Sequence, residues 1–271
     1  MHGPSDTPAF AARAKKQYGQ HFLHERAFID RIVQAVDLAP GEGLVEIGPG
    51  QGAITFPLLR RFGALTAIEY DRDLVAPLGA AAREHGALSI VPGDVLDVDF
   101  SALAADTPAG RICLVGNLPY NLSSPILFHA LDHAAVIRAM VFMLQKEVVD
   151  RMGAAPGSKV YGRLSVMLQA YCMVTPLFDV PPGAFRPPPK VDSAVVRLLP
   201  RDAATVGIHD RERFAGIVRA AFGQRRKTLR NALQTVMAAD AIRTAGIDPQ
   251  SRAEQLSVAE FVQLANHPPG D

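Results

Sequence analysis

Short apolar runs alternate with amphipathic segments over the first part of the chain. Five of the runs have the length and composition of buried strands, while the segments between them show helical spacing. The predicted strands cover residues 44–47, 65–69, 88–91, 112–115 and 140–144, and the clearest helices cover residues 28–36, 53–62 and 74–84. Strands that alternate with helices favour a parallel α/β sheet with right-handed crossovers.

The pattern changes after Tyr161. Helical spacing over residues 164–169 and an extended stretch over residues 171–180 precede a proline-rich loop, and residues 191–199 alternate as a last strand. A strand that follows a long irregular loop can insert antiparallel into a mainly parallel sheet. Further helices are predicted near residues 210–222, 225–238 and 257–266. We therefore expect a flexible arm over residues 1–12, an α/β domain over residues 13–200 and a small all-α domain over residues 201–271.

Composition narrows the class of protein but not its partner. The 271 residues can bury a large core, and 28 basic against 27 acidic residues leave a net charge of +1. Any affinity for nucleic acid must therefore come from local basic patches. Cys113 and Cys172 are too few for a disulfide framework. Because no apolar run approaches the ~18 residues that span a bilayer, and no signal peptide is evident, we expect a cytoplasmic protein.

A glycine-rich turn, Glu46-Ile47-Gly48-Pro49-Gly50, follows the first predicted strand of the alternating region. Glycines allow a ligand to approach the backbone closely, and the next helix presents free N–H groups to it. Glu69 ends the following strand, where it could bind ribose hydroxyls. Since Gly48, Gly50 and Ala53 also satisfy the dinucleotide pattern, these residues alone leave NAD, and a merely structural tight turn, as alternatives.

The next two strand ends favour S-adenosylmethionine as the cofactor. Asp94 follows the third strand, where its carboxylate could bind an adenine amine or simply cap a turn. Asn117-Leu118-Pro119-Tyr120 follows the fourth strand and has no evident task in hydride transfer. The Asn117 carboxamide oxygen and the Leu118 carbonyl could hold an amino group in line with a sulfonium methyl, while Tyr120 stacks on a flipped base. A plain Asn-Leu-Pro turn with a core tyrosine is the structural alternative.

Over nearly its whole length the sequence resembles the small-subunit (16S) ribosomal RNA adenine dimethyltransferases. The resemblance rests on Tyr18-Gly19-Gln20-His21-Phe22-Leu23, Glu46-Ile47-Gly48-Pro49-Gly50, Glu69-Tyr70-Asp71, the Asn-Leu-Pro-Tyr turn, Met143-Leu144-Gln145-Lys146-Glu147, and Phe185-Arg186-Pro187-Pro188-Pro189-Lys190-Val191-Asp192-Ser193. It implies a Rossmann-like methyltransferase fold with a mostly parallel seven-stranded sheet and a small C-terminal all-α domain. It also implies N6,N6-dimethylation of two adjacent adenines in a hairpin loop near the 3′ end of that RNA.

The motifs and the resemblance together define the expected site. The cofactor-binding residues are His21, Leu23, Glu46, Gly48, Gly50, Glu69, Asp94, Val95 and Asn117, and the catalytic residues are Asn117, Leu118, Pro119, Tyr120 and Phe185. Phe185 is expected to provide a second ring against the base. The resembling family usually has asparagine where this chain has His21, and a histidine side chain can also donate or accept a hydrogen bond there.

Basic residues suggest where RNA would bind. The candidate RNA contacts are Lys15, Lys16, Arg186, Lys190, Arg225, Arg226, Lys227 and Arg230. Such clusters would make RNA binding salt-dependent, although any single one can be a solvated helix face. The resemblance implies an immature small ribosomal subunit as partner, and we expect a monomer without a metal ion. The alternatives are a large-subunit adenine methyltransferase of the macrolide-resistance type and a mainly non-catalytic assembly factor.

Overall fold

The structure, a computed structural model, describes Lys15, residues 20–224 and residues 226–268. It divides into two compact units. The first contains the described residues up to Lys146 together with Pro176–Pro200, and the second contains Glu147–Thr175 and the described residues from Arg201 onward. The predicted N-terminal arm lies outside the described residues. Within the described ranges, no helix has the length and apolar character needed to cross a membrane.

The strands agree with the predicted α/β pattern. They are Phe22–Leu23 (β1), Gly43–Ile47 (β2), Ala64–Glu69 (β3), Ala87–Pro92 (β4), Ile112–Asn117 (β5), Ile137–Gln145 (β6), Cys172–Val180 (β7), Phe185–Arg186 (β8) and Ser193–Pro200 (β9). Seven of them form one sheet in the order β4-β3-β2-β5-β6-β9-β7, and β1 pairs antiparallel with β8. Strands β2 to β6 pair in parallel, while β9 runs antiparallel to β6. The mostly parallel seven-stranded sheet and its antiparallel last strand are therefore confirmed.

Helices connect these strands and form most of the second unit. They are Arg26–Ala35 (α1), Thr55–Phe62 (α2), Arg72–Ala82 (α3), Phe100–Ala105 (α4), Ser123–Asp132 (α5), Lys146–Met152 (α6), Arg163–Tyr171 (α7), Ala203–Val206 (α8), Arg211–Gly223 (α9), Leu229–Ala232 (α10), Ala239–Thr244 (α11) and Val258–Asn266 (α12). The units differ from the predicted boundary at residue 200, because Glu147–Thr175 groups with the C-terminal residues. The reason is that α7 packs against α9 and α12.

The helix predicted over residues 225–238 is wrong for most of its length, since α10 covers only Leu229–Ala232. Its first amides are bonded to a neighbouring loop: Leu229 N–H donates to the Ser251 carbonyl at 2.8 Å and Arg230 N–H to the Pro249 carbonyl at 3.0 Å. Leu229, Leu233 and Met237 are buried. The spacing of apolar residues thus predicted correctly which side chains are buried. It could not show that the amides of Leu229 and Arg230 bond to a distant loop instead of to a preceding turn of helix.

The register of the sheet brings four strand ends to one edge. Ile47 of β2 pairs with Ile68 of β3 and with Gly116 of β5, and Glu69 pairs with Pro92 of β4. Gly116 allows β5 to approach β2 closely, because a Cβ atom built there would lie 2.5 Å from the Ile47 carbonyl oxygen. The residues that follow β2, β3, β4 and β5 therefore surround one space at the carboxyl edge, where open α/β sheets bind ligands.

Candidate active site

A cavity of about 420 Å³ lies at the carboxyl ends of β2 to β5, within the first unit. All nine predicted cofactor-binding residues line it: His21, Leu23, Glu46, Gly48, Gly50, Glu69, Asp94, Val95 and Asn117. Four of the five predicted catalytic residues, Asn117, Leu118, Pro119 and Tyr120, also line it. The structure thus brings residues separated by almost one hundred positions around one space.

The glycine turn after β2 has the backbone conformation that requires glycine. Gly48 and Gly50 have φ angles of +68° and +58°, in the left-handed region. A Cβ atom at Gly50 would also lie 3.2 Å from the Phe22 ring, whereas one at Gly48 would meet only the Asn117 carbonyl oxygen at 3.9 Å. Neither position carries a side chain, so a ligand can approach the backbone at these two glycines.

The Glu69 carboxylate is held by two backbone amides. Its Oε2 accepts a hydrogen bond from Gly50 N–H at 3.0 Å, and its Oε1 accepts one from Asp71 N–H at 2.7 Å. Burial raises the pKa of Glu69, while these backbone hydrogen bonds act in the opposite direction. A carboxylate can accept about four hydrogen bonds, so Glu69 can still accept bonds from ribose hydroxyls.

Lys15 lies next to this carboxylate and is engaged within the protein. Its ammonium contacts Asp71 Oδ1 and Asp73 Oδ2, both at 2.6 Å. Hydrogen bonds to these two carboxylates raise the pKa of Lys15 above its usual value. Lys15 was expected to bind an RNA phosphate, but its charge is neutralised here by two acidic side chains. In the structure, the Lys15 ammonium links the N-terminal part of the chain to the residues that follow β3.

Glu46 is a buried carboxyl group on the floor of the cavity. Its Oε2 and the Thr55 hydroxyl both lack a hydrogen-bond partner of standard geometry within the described ranges. Burial raises the pKa of Glu46 to about 8, the charge of Glu69 acts in the same direction, and the nearby Thr55 hydroxyl offsets only part of the rise. An unpartnered buried acceptor facing a cavity is a position that a cationic ligand would satisfy.

We predict that Glu46→Gln removes a pH-dependent loss of stability. Between the ordinary pKa of 4.5 and the folded value of about 8, the folded wild type holds a proton that the unfolded chain has lost. Wild-type stability therefore falls as pH rises through this window, by at most about 1.4 kcal/mol per pH unit, and then levels. Thermal unfolding from pH 5 to 9 should show the advantage of the variant growing up to about pH 8. A constant difference would contradict the assignment.

Asp94 is positioned by the turn that it caps. Its Oδ1 accepts a hydrogen bond from Leu96 N–H at 3.0 Å and so begins a short 3₁₀ helix over Val95–Asp97. The structural alternative considered for Asp94 is thus realised. It is compatible with ligand binding, because the cap occupies one carboxylate oxygen while the residue still lines the cavity.

The turn after β5 holds the Asn117 carboxamide in a defined orientation. Asn117 Nδ2 donates to the His21 carbonyl at 3.1 Å, which leaves Oδ1 as the acceptor end of the group. Leu118 N–H donates to the Met143 carbonyl at 3.0 Å, and the Leu118 side chain is buried. The Pro119 carbonyl accepts a hydrogen bond from the Ser123 hydroxyl at 3.1 Å. The turn is therefore fixed from both sides before any ligand binds.

The two predicted aromatic residues differ in position. Tyr120 lines the cavity, with its hydroxyl 2.8 Å from Ser193 Oγ and its ring stacked on His21 at 5.7 Å between centroids. Phe185 is 2 % exposed, pairs with Leu23 across β1 and β8, and belongs to the hydrophobic core. The Phe185 ring does not line the cavity, because its place in β8 turns it into the apolar interior.

The candidate RNA contacts fall in both units. Arg186 and Lys190 are exposed in the first unit, and Arg226, Lys227 and Arg230 are exposed in the second. None of these five has an ion-pair partner among the described residues. Lys16 and Arg225 lie outside the described residues. Whether these groups contact RNA stays a prediction.

Sequence reasoning missed some residues that build the site. Gly116 and Ser193 received no role, although Ser193 belongs to a quoted motif. Asp71 and Asp73 were expected to cap a helix, and the Asp71 side chain does cap α3 by accepting a hydrogen bond from Asp73 N–H. A glycine inside a buried strand can mark a close backbone approach, so Gly116 carried a usable signal. Within the described ranges, no group of three or more His, Cys, Asp or Glu side chains could hold a metal ion.

The sheet order, the glycine turn, the acidic residues after β3 and β4 and the Asn-Leu-Pro-Tyr turn define an S-adenosylmethionine-dependent methyltransferase. The cavity fits this cofactor, since glycines open its wall, Glu69 presents a fixed carboxylate and Glu46 offers an unpartnered acceptor. The family model for ribosomal RNA adenine dimethylase matches residues 11–268. The chain therefore belongs to the ribosomal RNA adenine dimethylase family, which removes the NAD alternative.

Individual proteins support this assignment. The chain is 72% identical over 261 residues to ribosomal RNA small subunit methyltransferase A of Xanthomonas oryzae pv. oryzae, covering 96% of this chain and 98% of that protein. A dimethyladenosine transferase from Plasmodium falciparum has a similar fold, with a TM-score of 0.75, 24% identity and coverage of 90% and 96%. The 23S rRNA methyltransferase ErmE gives a TM-score of 0.67 and 25% identity, with coverage of 90% and 98%.

Proposed function

We propose that this enzyme dimethylates the N6 amino groups of two adjacent adenines in a hairpin loop near the 3′ end of small-subunit ribosomal RNA. The observation that carries the proposal is the Asn117 carboxamide, held by the His21 carbonyl beside a cavity that suits S-adenosylmethionine. When bound, the cofactor supplies an electrophilic sulfonium methyl group. The protein has to bring an adenine amine into line with that methyl.

Within the chain, Glu69 would hold the ribose of the cofactor and Asp94 its adenine amine. Glu46 would face a cationic group, because it is a buried carboxyl group that lines the cavity and a nearby cation would favour its ionised form. The glycine turn would accept the cofactor against its backbone. These assignments use the carboxylates in the positions and orientations that the structure already gives them.

The target amine is a poor nucleophile, because its lone pair is delocalised into the adenine ring. Asn117 Oδ1 and the Leu118 carbonyl oxygen would accept hydrogen bonds from its two hydrogens, which directs the lone pair towards the methyl group. The same acceptors stabilise positive charge that develops on nitrogen. Transfer of the methyl group would leave a positively charged nitrogen with two acidic hydrogens and convert the cofactor to S-adenosylhomocysteine. The nitrogen would then lose one proton to water without a strong base. The product amine keeps one N–H, so one of these hydrogen bonds remains and the same site can act again on fresh cofactor.

The basic residues of both units would bind the RNA backbone. Arg186 and Lys190 are exposed in the first unit. Their positive charges would bind phosphate groups of the RNA near the base that enters the site. The second unit has three exposed basic residues, Arg226, Lys227 and Arg230. Two further basic residues are proposed as RNA contacts from the sequence alone, Lys16 and Arg225. We assign to the second unit the docking of an immature small ribosomal subunit.

The enzyme would act as a monomer in the cytoplasm. The predicted cofactor-binding residues and the Asn-Leu-Pro-Tyr turn of one chain line one cavity, which supports a monomer. The substrate is ribosomal RNA, which is assembled into subunits in the cytoplasm of bacteria, the source of the curated relatives. No metal ion enters the proposed reaction, because an activated methyl group and positioned acceptors account for it.

A second candidate is methylation of large-subunit RNA, which the likeness to ErmE favours. The test is to incubate the protein with labelled S-adenosylmethionine and either immature small subunits or large-subunit RNA, and to digest the RNA to nucleosides. We expect N6,N6-dimethyladenosine only from the small subunits. Dimethyladenosine only from large-subunit RNA would contradict the proposal, and no labelled nucleoside from either would support a non-catalytic assembly role.

A further inference from the structure

The Tyr120 ring is held at two points. Its hydroxyl lies 2.8 Å from Ser193 Oγ, and its face is stacked on the His21 ring, with 25° between the planes. We propose that Ser193 and His21 are positioning residues that fix Tyr120 as the surface on which the methyl-accepting base stacks. This inference rests on the proposed function and adds two residues to the machinery for the base.

Ser193 is a fully buried polar residue at the start of β9. It pairs with Gln145 of β6, so the sheet fixes its backbone. The Tyr120 hydroxyl is its hydrogen-bond partner among the described residues. A buried hydroxyl requires a partner, and the Ser193–Tyr120 bond meets that requirement while restricting rotation and tilt of the Tyr120 ring.

His21 joins the ring to the acceptor of the target amine. Its Nδ1 lies 2.8 Å from the Pro187 carbonyl oxygen, which can only accept, so Nδ1 carries the proton and the imidazole is fixed in plane. Its own carbonyl accepts the hydrogen bond from Asn117 Nδ2. One residue thus contacts both the Tyr120 ring and the Asn117 carboxamide.

The consequence concerns the angle at which a base is presented. A base stacked on Tyr120 has its amino group in the plane parallel to that ring, and Asn117 Oδ1 must lie near that plane to accept the hydrogen bond. Tilting the ring would move the amine away from both the acceptor and the methyl group. A displacement of about 1 Å can lower the rate by on the order of 10²-fold. The Ser193 hydrogen bond and the His21 stacking contact would therefore favour a high rate by keeping the Tyr120 ring in place.

A double-mutant cycle tests the Ser193 contact. Ser193→Ala and Tyr120→Phe each remove the same hydrogen bond from opposite sides, and each should lower kcat by about fivefold, the factor expected for one neutral hydrogen bond. The double variant should be no slower than the slower single variant, while the Kd for S-adenosylmethionine stays unchanged. Multiplicative losses in the double variant, or full activity of both single variants, would overturn the role of Ser193.

The His21 contact is tested in the same way. His21→Ala keeps the backbone carbonyl that holds Asn117 but removes the ring, so it should lower kcat when Tyr120 is present. In a Tyr120→Ala background, the same substitution should have little further effect. Equal losses in both backgrounds would show that His21 acts independently of Tyr120.

Two controls keep the outcomes distinct. Thr107→Ala removes side-chain hydrogen bonds to the backbones of Ala104 and Arg111 outside the cavity and should leave kcat unchanged. If Ser193→Ala lowers the melting temperature strongly, Tyr120→Phe, which is nearly isosteric, still reports the loss of the bond. A wild-type protein that forms no dimethyladenosine would refute the proposed function, whereas an active wild type with additive variants would refute only this inference.

Discussion

Replacing Asn117 by alanine should lower kcat on immature small subunits by on the order of 10³-fold, the range seen when one positioned transition-state contact is removed. The variant loses the Oδ1 acceptor that the His21 carbonyl now orients through Nδ2 at 3.1 Å. Binding of S-adenosylmethionine should change little, because Glu69 and its two backbone contacts remain. Single-turnover kinetics with saturating cofactor and calorimetric titration of the cofactor measure the two effects separately.

Asn266→Ala is a matched control for this substitution. Asn266 Nδ2 also donates to a backbone carbonyl, that of Gly207 at 2.6 Å, but the residue belongs to the second unit and lies outside the cavity. Its loss should affect stability and leave kcat unchanged. If Asn117→Ala turns over at the wild-type rate, or loses cofactor binding in parallel with kcat, the carboxamide does not hold the target amine.

The central strands of the β-sheet were predictable because they are buried on both faces. The apolar run from Ile112 to Val115 lies in the sheet interior, and such runs produce a strong local signal. The antiparallel insertion of β9 also followed from chain order and loop length. The short helices α4 and α10 were harder, since Phe100–Ala105 and Leu229–Ala232 are too short for periodicity to identify.

The site residues at the carboxyl ends of the parallel strands were predictable from the sequence. Gly48, Glu69, Asp94 and Asn117 each follow a parallel strand, and a parallel sheet necessarily gathers such positions at one edge. The orientation of individual side chains was not predictable. Phe185 lies within the proline-rich stretch, and only the folded structure shows that it pairs with Leu23 and belongs to the core.

The sequence did not show which basic side chains pair with acidic ones inside the protein. Lys15 stands in a basic stretch of the sequence, yet its ammonium is paired with Asp71 and Asp73, which are 56 and 58 positions away. Long-range ion pairs of this kind have no local signature. The same reasoning explains why Ser193 was overlooked, since its partner Tyr120 is 73 positions away.

Replacing Glu69 by alanine should weaken the binding of S-adenosylmethionine by at least about 10²-fold. The variant loses the two hydrogen bonds that the ribose hydroxyls would donate to the charged carboxylate, and each such bond contributes about 1.5–3 kcal/mol. The substitution also leaves the Gly50 and Asp71 amides without their acceptor in a buried site. Glu69→Gln keeps one acceptor oxygen but turns an NH₂ group towards one of those amides, so its loss should be intermediate. Calorimetric titration with S-adenosylmethionine measures the Kd of the wild type, of Glu69→Ala and of Glu69→Gln.

Glu69→Ala should impair cofactor binding, whereas Asn117→Ala should impair methyl transfer. Excess cofactor should restore much of the rate of Glu69→Ala, because the acceptors for the target amine remain in place, whereas no cofactor concentration should restore Asn117→Ala. Glu84→Ala is the control, since Glu84 is an exposed glutamate of the same unit that does not line the cavity. A Kd for Glu69→Ala equal to that of the control would mean that the carboxylate, although held by two amides beside the glycine turn, does not bind the cofactor.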